Sequence, residues 1–474
     1  MIKKIGVIGG GTSGLIAALI LKTRFPKLEI NIIRSAKIGI IGVGESSTQH
    51  WTNFCNFCGI TKEELIKETN ATFKHGVMFD GWTKEKYMHN VTPQMRDIEY
   101  GQYLGGYAHV CINKTKSPDY VGPAYFKNKV YPIEPPDQFH FNTFKLNSFL
   151  SRKCKDQNIK IIEDTITKVQ TKNITILSVD GSKSYTYDFY IDCTGFKKLL
   201  ISKLGGKWKS WNKYLPMNEA IAFTTPDTKE YNPYTLARAM KAGWLWRIPT
   251  YGRWGNGYVY NNAYINRDEA KKECEKYLKY KIKIDANIKF DAGVLEKAWI
   301  GNCMAIGLSS SFIEPLEATS MGTSIQQTFL LMHLIINYEQ ADIDFYNEKF
   351  QFLTENVRDF IVLHYMVNKK DSDFWRSLKL SVPSSLKNNL KKWKHRLPFR
   401  EDFAGRYLIF DAPSFCVILK ELNLVDTVAL KKEYNMLAQN IQLEIETKLK
   451  QIKDTFLLIP LSHKRVIKDF FHHD

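Results

Sequence analysis

Three glycines decide how the first fifty residues can fold. Gly9, Gly11 and Gly14 stand in GxGxxG spacing between an apolar run, IGVI, and a helix-like stretch, TSGLIAALILKTRF. The first turns the chain sharply, the second lets backbone approach a pyrophosphate, and the third lets the helix lie against the strand. The helix start then offers unpaired N–H groups and a positive dipole end to phosphates. EINIIRS supplies a second strand, so residues 1–50 read as β–α–β. Two lysines before an apolar run imitate a signal peptide, but consecutive glycines and the lack of a small-residue cleavage pattern favour the strand–turn–helix.

A dinucleotide site commonly ends its second strand with an acid for the ribose. Here Arg34 stands at that end. It is open to two readings, a contact to adenine or phosphate and a plain surface position. Far downstream, DFYIDCTGF (residues 188–196) is a strand ending in Thr194-Gly195. A second segment returning beside the cofactor suits FAD better than NAD, since an NAD domain has no use for it.

Between these landmarks, residues 51–75 look helical, and residues 80–145, rich in Tyr, Gly and Pro, look like long loops and short strands. Residues 145–195 run helix, then strands, with a hairpin expected at Asp180-Gly181. Residues 205–300 are strand-rich, and from Ser324 the chain turns to apolar-striped helices. The expected fold is α/β. A discontinuous, Rossmann-like FAD-binding core of the flavin monooxygenase type spans 1–325, with substrate-covering β insertions at about 80–145 and 205–300. A mainly helical cap follows at 326–474.

Charge and cysteine usage narrow the partners. With 67 basic and 49 acidic residues the chain carries +18, a field that attracts flavin phosphates, halides and nucleic acid alike. The basic residues are scattered, with their densest run at residues 387–400, and no nucleic-acid motif accompanies them. A Lys-rich solvated surface is the simpler account, and a nucleic-acid-binding flavoprotein ranks last. Eight dispersed cysteines point to reduced thiols in a cytoplasmic setting. Cys55 and Cys58 form a CxxC without a second pair, which favours core packing over a metal site. No stretch is long and apolar enough to cross a bilayer, so neither membrane nor metal is expected.

Five further segments are specific. GVGES occupies residues 42–46, and NATFKHGVMFDGW (70–82) sets Lys74 alone among small and apolar residues. GWLWRIP (243–249) carries a WxWxIP pattern, GNCMAIGLSSSFIEPLEATS (301–320) carries EPLEAT, and RDFIVLHY spans 358–365. With GGGTSG and IDCTGF, these resemble the flavin-dependent halogenases of the tryptophan-halogenase type over most of residues 1–370.

The resemblance implies an oxidoreductase that uses FADH2 from a separate reductase, O2 and a halide ion. Hypohalous acid made at the flavin would travel to Lys74, and Glu317 would polarise the electrophile and take the proton from the attacked arene. By residue type alone, Lys74 is a surface lysine and Glu317 a helix-start carboxylate. The resemblance further implies cofactor contacts at Gly9, Gly11, Thr12, Ser13, Gly14, Ser35, Gly44, Glu45, Ser46, Val169, Gly195, Leu308 and Met321. It implies a halide cradle at Thr319 and Ser320, where the family commonly has Gly at the second position. Trp244 and Trp246 would shield the flavin.

Substrate contacts are implied at His89 and Phe415. The family's tryptophan-binding segment is YHPF-like; here YMHNV keeps His89 and puts Val91 where the aromatic stands, and Ser414-Phe415 replace a tyrosine pair. Both departures point from free tryptophan toward an indole, phenol or larger aromatic scaffold. The alternative is an FAD-dependent aromatic monooxygenase or reductase on the same core, with substrate against the flavin. A homo-oligomer is compatible with the sequence.

Overall fold

The structure is a computed structural model that describes residues 2–40, 45–90, 104–131, 138–403, 405, 407–454 and 459–471. Its centre is the strand Lys4–Ile8, paired in parallel with Glu29–Arg34 on one side and Phe189–Asp192 on the other. Lys160–Glu163 and Cys303–Ala305 extend the sheet at either flank, and Trp299–Ile300 closes one edge. Strands covered on both faces need continuous apolar runs, which is what IGVI and FYI supply. The distant DFYIDC segment does return beside the first strand.

The helix Thr12–Arg24 buries every residue from Gly14 to Leu21. It lies between the helices Thr143–Asp156 and Thr319–Leu334, so LIAALIL is apolar all round rather than striped. A second sheet of seven strands runs, in order, Ala286–Lys289, Glu219–Pro226, Arg253–Tyr260, Gly243–Thr250, Thr235–Met240, Val77–Asp80 and Tyr87–His89. A small antiparallel sheet sets Gln138–Phe141 between Glu45–Ser46 and Thr72–Lys74.

The hairpin at Asp180-Gly181 is present, joining Thr175–Ser178 to Ser184–Thr186 with Gly181 at φ +69°. Elsewhere the structure departs from what the sequence suggests. IKIIEDTITKVQ divides: Lys160–Glu163 joins the parallel sheet and Ile166–Gln170 the hairpin. Within 80–145, where loops and strands were expected, lie the helices Leu104–Ile112 and Ser117–Val121. LGGYAHVCI contains two glycines and is a poor helix former. Burial of Tyr107, Val110 and Cys111 holds it instead. Arg267–Leu278 interrupts the strand-rich region under a capping box of Asn266 and Glu269.

The long C-terminal helices begin at Thr319 rather than Ser324. The last helix, His463–Phe471, folds back onto the strand Thr72–Lys74. Among the described residues no helix is long and apolar enough to cross a membrane. Cys55 and Cys58 lie on the helix His50–Cys58 as free thiols, and burial pushes the Cys58 thiol up to about 12. Core packing accounts for the pair.

Candidate active site

The glycine turn is built as its spacing requires. Gly9 sits at φ +116°, and a Cβ there would lie 2.1 Å from the Cys193 carbonyl oxygen, so no side chain is tolerated. A Cβ on Gly14 would meet the Gly9 carbonyl at 2.2 Å, whereas one on Gly11 would meet nothing within 4 Å. Gly11 therefore caps the helix facing open space, and Thr12 and Ser13 open its first turn. Ser13 is tied to Ser324 by a 2.9 Å hydrogen bond between hydroxyls.

The structure also encloses a cavity of about 660 Å³. Ala220, Ala222 and Thr224 alternate along one strand of the seven-stranded sheet, so their small side chains face the cavity together and leave it open. Trp246 and Ile248 line it from the strand Gly243–Thr250 of the same sheet, and Ser46, Leu308, Pro315, Ala318, Ser320 and Met321 complete the lining. Trp246 pairs with Gly257, where a Cβ would fall 2.0 Å from the indole. Only glycine lets the ring cross that strand. A steric cradle at Gly9 and a mainly apolar cavity of this size fit FAD.

Ala318 adopts φ +56°, an uncommon conformation for alanine, and precedes the helix Thr319–Leu334 with no side-chain cap. The first N–H groups of that helix, on Thr319 and Ser320, thus have no intrahelical acceptor. They border a small recess also lined by Gly307, Leu308 and Thr323. An anion fits such a terminus.

Lys74 ends an edge strand of the small sheet and is 2% exposed. Its Nζ donates to the Ser47 carbonyl at 2.7 Å. Burial lowers its ammonium to about 8 against the opposing pull of Glu317. Among the described residues the amine forms no ion pair, so Glu317 acts on it through space.

Glu317 is 3% exposed. Its Oε1 accepts from His89 Nδ1 at 2.9 Å and His364 Nε2 at 3.1 Å. Burial would raise this carboxyl, but the His89 and then the His364 imidazole more than reverse it and bring it down to about 2. His364 Nδ1 also meets the Phe360 carbonyl at 2.7 Å. Both His364 nitrogens face acceptors, so the ring satisfies them fully only with a proton on each.

Two short stretches separate the amine from the cavity. In one, Ser46 lines the cavity while the carbonyl of Ser47 binds Lys74. In the other, Ala318 lines the cavity while the carboxylate of Glu317 binds the two histidines. Each stretch thus turns one residue to the cavity and its neighbour to the amine or the histidines.

The remaining expected residues divide. His89, on Tyr87–His89, contacts Glu317 and stands beside Phe360 and Phe410, with ring centroids 5.0 and 6.0 Å away. Phe415 lies behind Phe360, packed with Trp393 and Phe403, so Phe410 is the aromatic nearer to His89. Trp246 faces the cavity, whereas Trp244 is fully buried and packs beside Glu314 and Tyr365. Gly195 takes φ +68° next to the sheet, and its carbonyl accepts from Ser309.

Ser35 bonds Thr165 at 2.6 Å, and Glu45 pairs with Phe141. Val169 pairs with Ile176 away from the large cavity. Arg34 Nε binds Glu163, its Nη1 binds Ser151, and its side chain lies over Gly10. Gly44 and Val91 fall outside the described residues. Sequence reasoning gave no role to His364, although it stands within RDFIVLHY.

Fold and site together define a flavoenzyme that keeps a cofactor cavity apart from a buried amine and carboxylate. Family comparison narrows that class. The chain belongs to the tryptophan halogenase family, whose profile matches residues 4–432. It is 28% identical to tryptophan 6-halogenase SttH of Streptomyces toxytricini, over 94% of this chain and 96% of that one. It is 29% identical to tryptophan 7-halogenase RebH of Lentzea aerocolonigenes, over 80% and 79%. The structure of Xcc4156, a flavin-dependent halogenase from Xanthomonas campestris, superposes with a TM-score of 0.87 at 26% identity, covering 99% and 98% of the two chains.

The protein is accordingly an FADH2-dependent halogenating enzyme that uses O2 and halide, takes its reduced flavin from a separate reductase, and acts on an aromatic substrate.

Proposed function

We propose that Lys74 is the amine that receives the halogen electrophile and that Glu317 is its partner carboxylate. The observation that carries this is the burial of both groups beside residues that line the cavity, with no ion pair on the amine among the described residues. Reduced FAD, when bound by the glycine turn and the cavity, supplies with O2 the oxidising equivalents that convert halide to hypohalous acid.

The uncapped helix start at Thr319 and Ser320 holds the halide at the edge of the cavity. Trp246 lines the cavity wall, so organic substrate is kept from the flavin. Hypohalous acid crosses the wall to Lys74, which donates a hydrogen bond to it or, as free amine, takes the halogen as the O–halogen bond breaks and the oxygen leaves with the amine proton as water. An ammonium lowered to about 8 by burial has free amine within reach at neutral pH. Glu317, anionic between two imidazoles, orients the electrophile and takes the proton as the arene regains aromaticity.

The substrate is an indole, a phenol or a larger aromatic. His89 and Phe410 border its site, and the Val91 and Ser414 departures favour a ligand other than free tryptophan.

The test combines purified protein with FAD, a flavin reductase, NADH, bromide and a panel of indoles and phenols. Brominated arene is expected from the parent. Lys74→Ala should give none while still consuming reduced flavin. Full bromination by Lys74→Ala would overturn the assignment.

A further inference from the structure

The strand that carries Lys74 is an edge strand, so the backbone N–H of Phe73 points away from its sheet. A buried N–H left without an acceptor is destabilising, and an unpaired edge is free to shift. The acceptor comes from the far end of the chain: Phe73 N–H donates to His463 Nε2 at 3.2 Å. His463 Nδ1 faces the Tyr231 carbonyl at 3.1 Å. A carbonyl only accepts, so Nδ1 carries the proton and Nε2 keeps its lone pair for Phe73.

We propose that His463 is a positioning residue for halogenation, using the returning C-terminal segment to fix the strand that aims Lys74. The proposal rests on Lys74 being the halogenating amine.

The anchorage is broad. Leu461–Ser462 pairs with Lys129–Val130, and the His463 N–H donates to the Asn128 carbonyl. The His463 ring stacks on Phe73 at 5.6 Å, and Phe470 meets Phe73 edge-on at 5.8 Å. Phe471 stacks on Tyr251 at 4.0 Å. On the far side of Lys74, His75 N–H donates to the Pro233 carbonyl at 2.7 Å. The strand is therefore held from outside at the residues on either side of Lys74. His463 is fully buried, and burial lowers its imidazole to about 4, so the accepting lone pair persists at neutral pH. A small displacement of a reacting group lowers rate steeply, which is why a distant hydrogen bond can matter.

The experiment compares His463→Phe, which keeps the ring contact and removes the acceptor, with His463→Gln, whose amide oxygen can replace Nε2 and whose amide N–H can replace Nδ1–H. Amide exchange of the peptide spanning residues 71–76 reads the contact without any flavin chemistry. It should quicken in His463→Phe and return toward the parent in His463→Gln.

With FAD, reductase, bromide and indole, the bromoindole formed per reduced flavin consumed should fall about tenfold in His463→Phe, with FAD affinity unchanged, and recover to within about threefold in His463→Gln. Parent yield in His463→Phe, or a loss in His463→Gln equal to that in His463→Phe, overturns the proposal. If His463→Phe does not fold, Phe471→Ala loosens the same helix with His463 in place. Faster exchange with a lower yield then supports the proposal, and parent behaviour overturns it. Lys74→Ala run in parallel separates the claims. Bromination surviving there defeats the assignment of the amine, whereas loss there beside parent yield in His463→Phe defeats only the positioning role.

Discussion

Glu314 and Glu317 share one short turn yet are held in opposite protonation states. Glu314 is buried beside the Trp244 indole and accepts from the Tyr365 hydroxyl, and burial pushes its carboxyl up to about 8. Glu317, equally buried, is brought down to about 2 by two imidazoles. The residues that bond them, His364 to Glu317 and Tyr365 to Glu314, are also neighbours, at the end of the helix Gln340–His364. Environments that push two carboxyls apart are how a site keeps one acid and one base at the same pH.

The first prediction concerns Glu314. Its folded value, about 8, lies above its ordinary 4.5, so the native state holds the extra proton between those pH values and stability falls as pH rises through that window. Glu314→Gln removes that dependence, which has a limiting slope of about 1.4 kcal/mol per pH unit. Melting temperatures measured from pH 5 to 8 should decline less in Glu314→Gln than in the parent. Parallel curves would refute the neutral carboxyl.

Lys74 has the reverse sign. Its folded value of about 8 lies below 10.5, so the unfolded chain binds the additional proton and the buried ammonium destabilises the native state at pH 7. Lys74→Met is expected to gain about 1–2 kcal/mol at pH 7 while forming no product. The gain should shrink as pH rises above 8, since the parent then sheds its charge. Thermal denaturation at pH 7 and pH 9.5 distinguishes the cases.

His364 keeps Glu317 anionic, so His364→Phe should let that carboxylate protonate at higher pH. The acid limb of the bromination rate would move upward in pH, and the rate at pH 7 would fall about 10- to 100-fold. Glu317→Gln should lose a similar factor and show no acid limb from this group. Initial rates across pH 5 to 9 test both variants, and an unmoved limb in His364→Phe would count against the pairing.

At the cavity wall, Gly257→Ala places a methyl group where the Trp246 indole lies. The ring must shift, with a stability loss of about 1–3 kcal/mol and weaker FAD binding. Chemical denaturation and a flavin fluorescence titration measure the two effects. Values matching the parent would mean that the indole does not need the missing side chain.

Much of this was legible in the chain itself because the chemistry is local. Gly9, Gly11 and Gly14 declare their turn by spacing, and the hairpin at Asp180-Gly181 needs only its two turn residues. Lys74 and Glu317 were legible only through the motifs around them, since neither residue type declares its burial. His364 was missed even though its motif was noticed, because its partner lies 47 residues away. His463 was less legible still: its hydrogen bond to Phe73 spans 390 residues, and nothing in HKRVIKDFF distinguishes it from an ordinary amphipathic helix end. The helix Leu104–Ile112 escaped because its sequence opposes it and only packing forms it.

The alternation in the two stretches has an evolutionary corollary. Ser46 and Ser47 present themselves to opposite sides, and so do Glu317 and Ala318. Substituting Ser46, Ser47 or Ala318 keeps that arrangement, whereas inserting or deleting a single residue would change which residue faces each side. Relatives that keep this chemistry should keep Glu317 and the length of both stretches.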